Sequence, residues 1–171
     1  QIIAPHRGMA TYLNSFLNAL KSNGENIKGL APAGLSGKYR RNIVYYGLSN
    51  ILLWEQFSIS KFINRNKVNC FIFPYNTGPV FSTLNCTSVL ILHDLIFMEP
   101  FSKIPLSRSL KQIIGRIYRR STGPRMIKKA NYIITVSNYS KNRIIDSFKI
   151  DESKITVIPN CIDVYDKIND H

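Results

Sequence analysis

Acidic residues are scarce in this chain. Ten Asp and Glu stand against 23 Lys and Arg in 171 residues, a formal charge of +13. That imbalance concentrates anionic partners near the surface, which here means nucleic acid, a nucleotide sugar or the inner leaflet of a bacterial membrane. Cysteine is rarer still. Cys70, Cys86 and Cys161 form an odd, widely spaced set that suits neither a disulfide framework nor a metal knuckle, and they read as reduced and structural. Histidine is limited to His6, His93 and His171, too scattered to build a metal site from sequence neighbours, so no metal is expected. No stretch approaches the roughly 18 apolar residues of a spanning helix. The opening QIIAPHRGMA also lacks the basic start, apolar run and small-residue cleavage site of a secretory signal. These absences predict a cytoplasmic protein.

What is present reads as one folded domain, with 44% hydrophobic and 19% charged residues. Short runs of β-branched and aromatic residues recur at CFIFP (70–74), TSVLIL (87–92), NYIITV (131–136) and KITVIP (154–159), with helical stretches among them. That alternation predicts βα units and a parallel sheet covered on both faces. Met9, Tyr12, Leu13, Phe16, Leu17 and Leu20 keep a helical period that stops before Asn23-Gly24. Further helices are expected over residues 48–64, over 106–120 with a restart at Pro124, and over 139–148, the last capped by Ser137 or Asn138. If a strand precedes the first helix, only residues 1–4 remain for it, so the chain is expected to start late, inside or just after that strand. It is also expected to stop where another domain would begin.

Residues 130–163, ANYIITVSNYSKNRIIDSFKIDESKITVIPNCID, resemble the end of the N-terminal domain in glycosyltransferase family 4. The pattern there is a T-V-S-x-x-S segment and a helix, then K-I-x-V-I-x-N-G-V-D leading into a second domain. LLWEQF (52–57), FIFPYNTGP (71–79) and VLILHDLIFMEP (89–100) are similar to three further blocks of the mannosyltransferase-like branch, in the same order, and RGMATYLNSFL (7–17) resembles the family's Gly-rich loop and first helix. The resemblance implies an α/β fold with a Rossmann-like, doubly wound parallel sheet, the N-terminal half of a GT-B architecture. Residues 1–163 would form the acceptor-side domain and 164–171 the start of the interdomain linker, with the donor-binding domain absent. It further implies a retaining hexosyltransferase, with mannose a candidate sugar, a nucleotide diphosphate sugar as donor, no cofactor or metal, and a lipid-linked or polysaccharide acceptor in bacterial surface glycan synthesis.

His93 and Asp94 follow the apolar run 89–92, placing both at the carboxyl end of a parallel strand, where ligands sit in open α/β sheets. The resemblance implies that His93 is catalytic, a neutral imidazole set against the transferred sugar. Asp94 is an expected acceptor contact, with a plain helix cap as the competing reading. Tyr75, Asn76 and Thr77, in the turn 74–79, offer a ring, an amide and a hydroxyl for holding an acceptor sugar, although Pro, Asn and Gly build turns for their own sake. Gly8, opening the first helix, is expected near the donor phosphates. Arg7, where the family usually has a first glycine, and Ser137 are expected there too. Cys161 stands where the family prefers glycine. Trp54 and Glu55 are assigned to packing and helix surface.

Between residues 101 and 129 the chain carries nine cations and no acid. On a helix, Leu106, Leu110, Ile113 and Ile117 share one face, expected in the core, and Arg108, Arg116 and Arg119 the opposite one. Arg108, Lys111, Arg116, Arg119 and Arg120 are therefore expected to dock on anionic lipid, at about 1 kcal/mol for each cation that reaches the headgroups. The protein would then sit peripherally on the inner face of the cytoplasmic membrane. Two other readings remain open. A basic nucleic-acid-binding module is disfavoured because Tyr118 is the only aromatic within 102–129. A non-catalytic Rossmann-like partner or an epimerase relative would need no second domain.

Overall fold

The computed structural model describes residues 8–35, 42–100, 102–103 and 109–159. Helix α1 (Gly8–Ser22) leads into two three-residue strands, β1 (Gly29–Ala31) and β2 (Ile43–Tyr45), which pair in parallel with each other. The main sheet holds β3 (Cys70–Phe73), β4 (Thr87–Ile91), β5 (Tyr132–Thr135) and β6 (Ile155–Val157), all parallel and side by side in that order. Helix α4 (Leu110–Lys129) links β4 to β5, and α5 (Asn138–Phe148) links β5 to β6. This is the Rossmann-like α/β fold with parallel sheets that the alternation predicts. The strand expected at residues 1–4 lies outside the described residues, as does the expected linker 164–171.

The four strands read from sequence recur with trimmed ends. Their runs are apolar because both faces are covered: Leu90, Ile91 and Leu92 are fully buried, and Leu90 and Leu92 share one core with Phe73, Ile133, Ile155, Ile63, Met126, Ile127 and Ile144. Helix α1 ends as expected, with Gly24 at φ +85° and Glu25 N–H returning to the Leu20 carbonyl at 3.1 Å.

Three expectations change. The β1–β2 pair is an addition to the expected elements. The helix expected over 48–64 runs as α2 (Ile51–Leu53), a π-turn over Trp54–Ser58, and α3 (Ile59–Arg65), opened by Asn50, whose side chain accepts from the amides of Leu52 and Leu53. The third helix passes through Pro124 without a break, because its second half buries Thr122, Gly123, Met126 and Ile127 and that contact outweighs the proline's cost.

The facing of α4 is the reverse of the expected one in its first half. Of the face expected in the core, Leu110 and Ile117 are exposed and Ile113 is half-buried, Ile114 beside them is exposed, and Arg116 and Arg120 turn back to the fold. The helix touches the core only through its second half. Its first half lies beside the 3₁₀ turn Ile96–Met98, whose terminal carbonyls need donors that arginine supplies and leucine cannot. Leu106 and Arg108 lie outside the described residues.

Candidate functional site

Because β3, β4 and β5 run parallel, the segments that follow them share one edge of the sheet. Hydrogen bonds gather these segments around His93. Its backbone N–H donates to Asn76 Oδ1 at 3.2 Å, and its carbonyl accepts from Ser140 Oγ at 3.3 Å. Just before it, Leu92 is fixed to β5 through Leu92 N–H to Ile134 O at 2.8 Å and Thr135 Oγ1 to Leu92 O at 2.7 Å. The histidine is thus clamped along its main chain, leaving its ring as the variable part.

That ring meets the edge of Tyr12 on α1, with centroids 4.9 Å apart and planes at 82°. Burial lowers the imidazole's pKa below its ordinary value, with Asp94 opposing the shift, and this favours the neutral ring. Tyr12 lies about one helical turn from Gly8, the first residue of α1. Ser137 caps α5, its Oγ accepting from Ser140 N–H at 3.1 Å, and Ser140 reaches His93. The capped first turn of α5, with its partial positive charge, therefore reaches this histidine through Ser140, and α1 meets it through Tyr12, one turn into that helix.

The turn after β3 is used mostly inward. Asn76 adopts φ +58°, a left-handed conformation that asparagine tolerates, and its side chain holds His93. Thr77 is buried and donates to Glu55 Oε2 at 2.9 Å. The oxygens of Asn76 and Thr77 expected to meet acceptor are thus engaged in positioning the loop. Tyr75 differs: its hydroxyl is buried with no hydrogen-bond partner, a state that costs about 1–3 kcal/mol until something accepts from it. Asp94 Oδ1 accepts from Ile96 N–H at 2.9 Å, so this carboxylate does cap the following turn.

A second cluster lies outside the expected site. Glu55, in the π-turn, accepts from Tyr118 at 2.6 Å as well as from Thr77. Gln56 donates to the Tyr118 hydroxyl at 2.6 Å and the Gly78 carbonyl at 3.0 Å, while its own carbonyl accepts from Val80 N–H at 2.9 Å. Burial raises the Glu55 pKa against these hydrogen bonds, and Tyr118 is pushed well above its usual range by burial and by the Glu55 charge. The assignment of Glu55 to helix surface is corrected. The π-turn rotates it inward, and no periodicity argument anticipates that. One signal does exist in the sequence: Glu55 is the only acidic residue between Glu25 and Asp94. Trp54 packs as expected, with Nε1–H to Tyr46 O at 2.9 Å.

Several cations of the basic segment staple this same edge. Arg120 donates to the carbonyls of Met98 at 2.9 Å and Glu99 at 2.7 Å, and Arg116 to Glu99 O at 2.9 Å. Arg143 pairs with the Glu99 carboxylate at 2.7 Å and holds its pKa down. At the far end of α4, toward the opposite edge, Lys129 donates to Pro79 O at 2.6 Å and to Ser82 O. Gly123 lets α4 approach both loops, since a Cβ there would meet the Phe97 ring at 2.8 Å and Asn76 O at 3.3 Å. Lys111 is exposed, and Arg7 lies outside the described residues. Among the described residues no three His, Cys, Asp or Glu side chains gather as a metal site, Cys70 and Cys86 are free thiols, and no helix is long and apolar enough to cross a membrane.

A family model, Glycosyltransferase Family 4, matches residues 6–165. The chain belongs to that family. No curated protein matches it. As a family 4 domain it is a glycosyltransferase domain, and in general terms its ligands are a nucleotide sugar and an acceptor. The edge around His93 gathers a half-buried imidazole, the Ser137-capped start of α5 and the unpartnered phenol of Tyr75. Two open hollows at the opposite edge, one around Lys67, Asn85 and Thr87 and the other around Asn131, Tyr132 and Ser153, lack such a grouping.

Proposed function

We propose that this family 4 domain is the N-terminal, acceptor-side half of a retaining glycosyltransferase, transferring a hexose such as mannose from a nucleotide diphosphate sugar to a lipid-linked or polysaccharide acceptor of a bacterial surface glycan. The observation that carries the reading is the clamped, half-buried His93 at the carboxyl edge of the sheet. A neutral ring presents its polar edge to a sugar hydroxyl without placing a full charge against the reacting carbon. Gly8 and the Ser137-capped end of α5 supply backbone dipoles suited to the donor's phosphates, and Arg7 adds a charge in the same part of the sequence. Tyr75 and Asp94 are the acceptor contacts, while Asn76 and Thr77 keep the loop in register with His93. No metal or other cofactor takes part. The protein works in the cytoplasm, peripherally on the inner face of the membrane, with docking charge supplied by Lys111 and Arg119 and by Arg108.

The test is transfer from a panel of nucleotide diphosphate sugars by the protein carrying both halves, with His93→Ala beside the parent. Loss of one oriented hydrogen bond in a preorganised site costs about 10²-fold or more in turnover. Near-parental turnover in a folded variant refutes the role of His93. The isolated chain should bind nucleotide sugar weakly in calorimetry, because the reading puts the donor's main contacts in the other half.

A further inference from the structure

The first half of α4 presents an apolar stripe to solvent. Leu110, Ile114 and Ile117 are 75%, 55% and 54% exposed. At positions i, i+4 and i+7 they share one helix face. Ser121, Arg125 and Lys128, all exposed, continue the same azimuth along the second half, and exposed Lys111 flanks the stripe. A soluble helix normally turns such a stripe to its core, and this one does so only from Thr122 onward.

Whatever covers the stripe must accept aliphatic side chains at its centre and tolerate dense positive charge around it. A second copy of the chain fails the second condition. The sequence of α4 carries seven Lys and Arg and no acid, so stripe-to-stripe packing sets like charges against each other. Nucleic acid satisfies the charge but offers a phosphate backbone to Leu and Ile. The surface of an anionic bilayer meets both conditions, since a helix lying in the interface plane buries its apolar side chains to about 5–10 Å while flanking cations meet headgroups.

We propose that Leu110, Ile114 and Ile117 insert into the interface of an anionic membrane, with Lys111, Arg125 and Lys128 on its headgroups. This deepens the peripheral placement proposed above and changes its physical basis. There the cations alone dock; here the aliphatic stripe supplies the insertion, and Arg116 and Arg120 are occupied in holding the rim. Those two arginines grip the Phe97–Glu99 carbonyls only a few residues beyond His93, so a seated α4 brings the candidate site down to the lipid surface, where a lipid-linked acceptor is presented.

The experiment is co-sedimentation of the 171-residue chain with vesicles of phosphatidylcholine alone and of phosphatidylcholine with phosphatidylglycerol, without sugar or nucleotide, so that its outcome is independent of the transfer reaction. The parent is expected to bind only the anionic vesicles and to be weakened, not released completely, by high salt. Leu110→Gln, Ile114→Gln and Ile117→Gln together, with every cation kept, should weaken binding about a hundredfold, because three partly inserted aliphatic side chains are lost. Lys111→Gln with Arg125→Gln and Lys128→Gln should also weaken it and remove most of its salt dependence. Both triple variants change exposed residues, and matching circular dichroism and melting confirm their folds. Ile114→Trp should shift its emission to the blue on anionic vesicles, against buried Trp54 as a constant background. The proposal is overturned if the aliphatic triple binds like the parent, which leaves charge-only docking. It is equally overturned if the parent binds neither vesicle. A parent that is dimeric in sedimentation while the aliphatic triple is monomeric would assign the stripe to a second copy. A duplex DNA shift at physiological salt without vesicle binding would assign the charge to nucleic acid.

Discussion

The two edges of the main sheet are built from the same four strands and differ in what the chain places on them. At the amino edge side-chain amides do much of the fastening: Asn131 Oδ1 accepts from Ser88 N–H at 2.9 Å and from its hydroxyl at 2.8 Å, and Asn64 spans Thr83 and Asn85. At the carboxyl edge the fastenings use the Arg116 and Arg120 guanidiniums and a buried carboxylate, and they surround a histidine whose pKa burial has lowered. Open hollows occur at the amino edge, so concavity and the clamped histidine point to different sides. What favours the carboxyl edge is the convergence of two loops and a helix start on one half-buried histidine.

The sharpest way to break this contrast is to exchange the kind of damage each edge suffers. His93→Ala should cost about 10²-fold or more in turnover with little change in melting, since its ring is half-buried and its backbone contacts survive. Asn131→Ala should do the opposite. It strips acceptors from Ser88 in a buried part of the sheet, and about 1–3 kcal/mol of stability should be lost in urea unfolding, with turnover per folded molecule unchanged. If Asn131→Ala abolishes turnover while remaining folded, the two edges are not functionally distinct.

Glu55 gives a smaller and pH-dependent effect. Its carboxyl pKa is raised in the fold, so its contribution to stability is fully present below the unfolded value near 4.5 and is lost as pH rises through the folded value. Above that, an ionised Glu55 is held in a buried place and penalises the native state. Glu55→Gln carries no such charge while one of its atoms still accepts from Tyr118. Its melting temperature relative to the parent should therefore improve from about pH 4 to pH 8. A difference that is flat across that range would mean that the carboxyl titrates as it does in the unfolded chain.

The amino-acid pattern makes some of this molecule legible and hides the rest for definable reasons. Strands β4 and β5 are readable because burial on both faces leaves a nearly continuous apolar run, and the α5 cap is readable because Ser137 performs it locally. Strands β1 and β2 have three residues each, too few for a period to show. In α4 the periodicity correctly gives two faces but not which one turns inward, because that depends on the carbonyls of Phe97, Met98 and Glu99 waiting beside it. His93 and Asp94 are locatable because a strand end is a position in sequence. Glu55 is not, because a π-turn shifts the azimuth of a residue without altering its neighbours in the chain. Asn76 and Thr77 sit on the rim as their turn suggests, yet their side chains turn inward, and a turn's composition does not reveal the direction its polar atoms take.

Asp94 produces the finest test of the carboxyl edge, since one carboxylate has two possible duties. Its Oδ1 caps the turn that starts at Ile96, a bond whose loss typically costs about 0.5–2 kcal/mol. Asparagine keeps an oxygen acceptor at the same place, so Asp94→Asn should melt close to the parent and Asp94→Ala should melt lower. If capping were the whole role, turnover and acceptor KM would follow the same order, with asparagine restoring both. Contact with an acceptor hydroxyl demands something different. The second carboxylate oxygen becomes an amide nitrogen, which cannot accept, so Asp94→Asn should raise acceptor KM severalfold while leaving kcat and stability near parental values. The separation of KM from melting in this one conservative variant distinguishes a residue that meets the acceptor from one that only shapes the loop beside His93. Parental KM together with parental melting would remove Asp94 from the acceptor site and leave Tyr75 as its remaining contact on this edge.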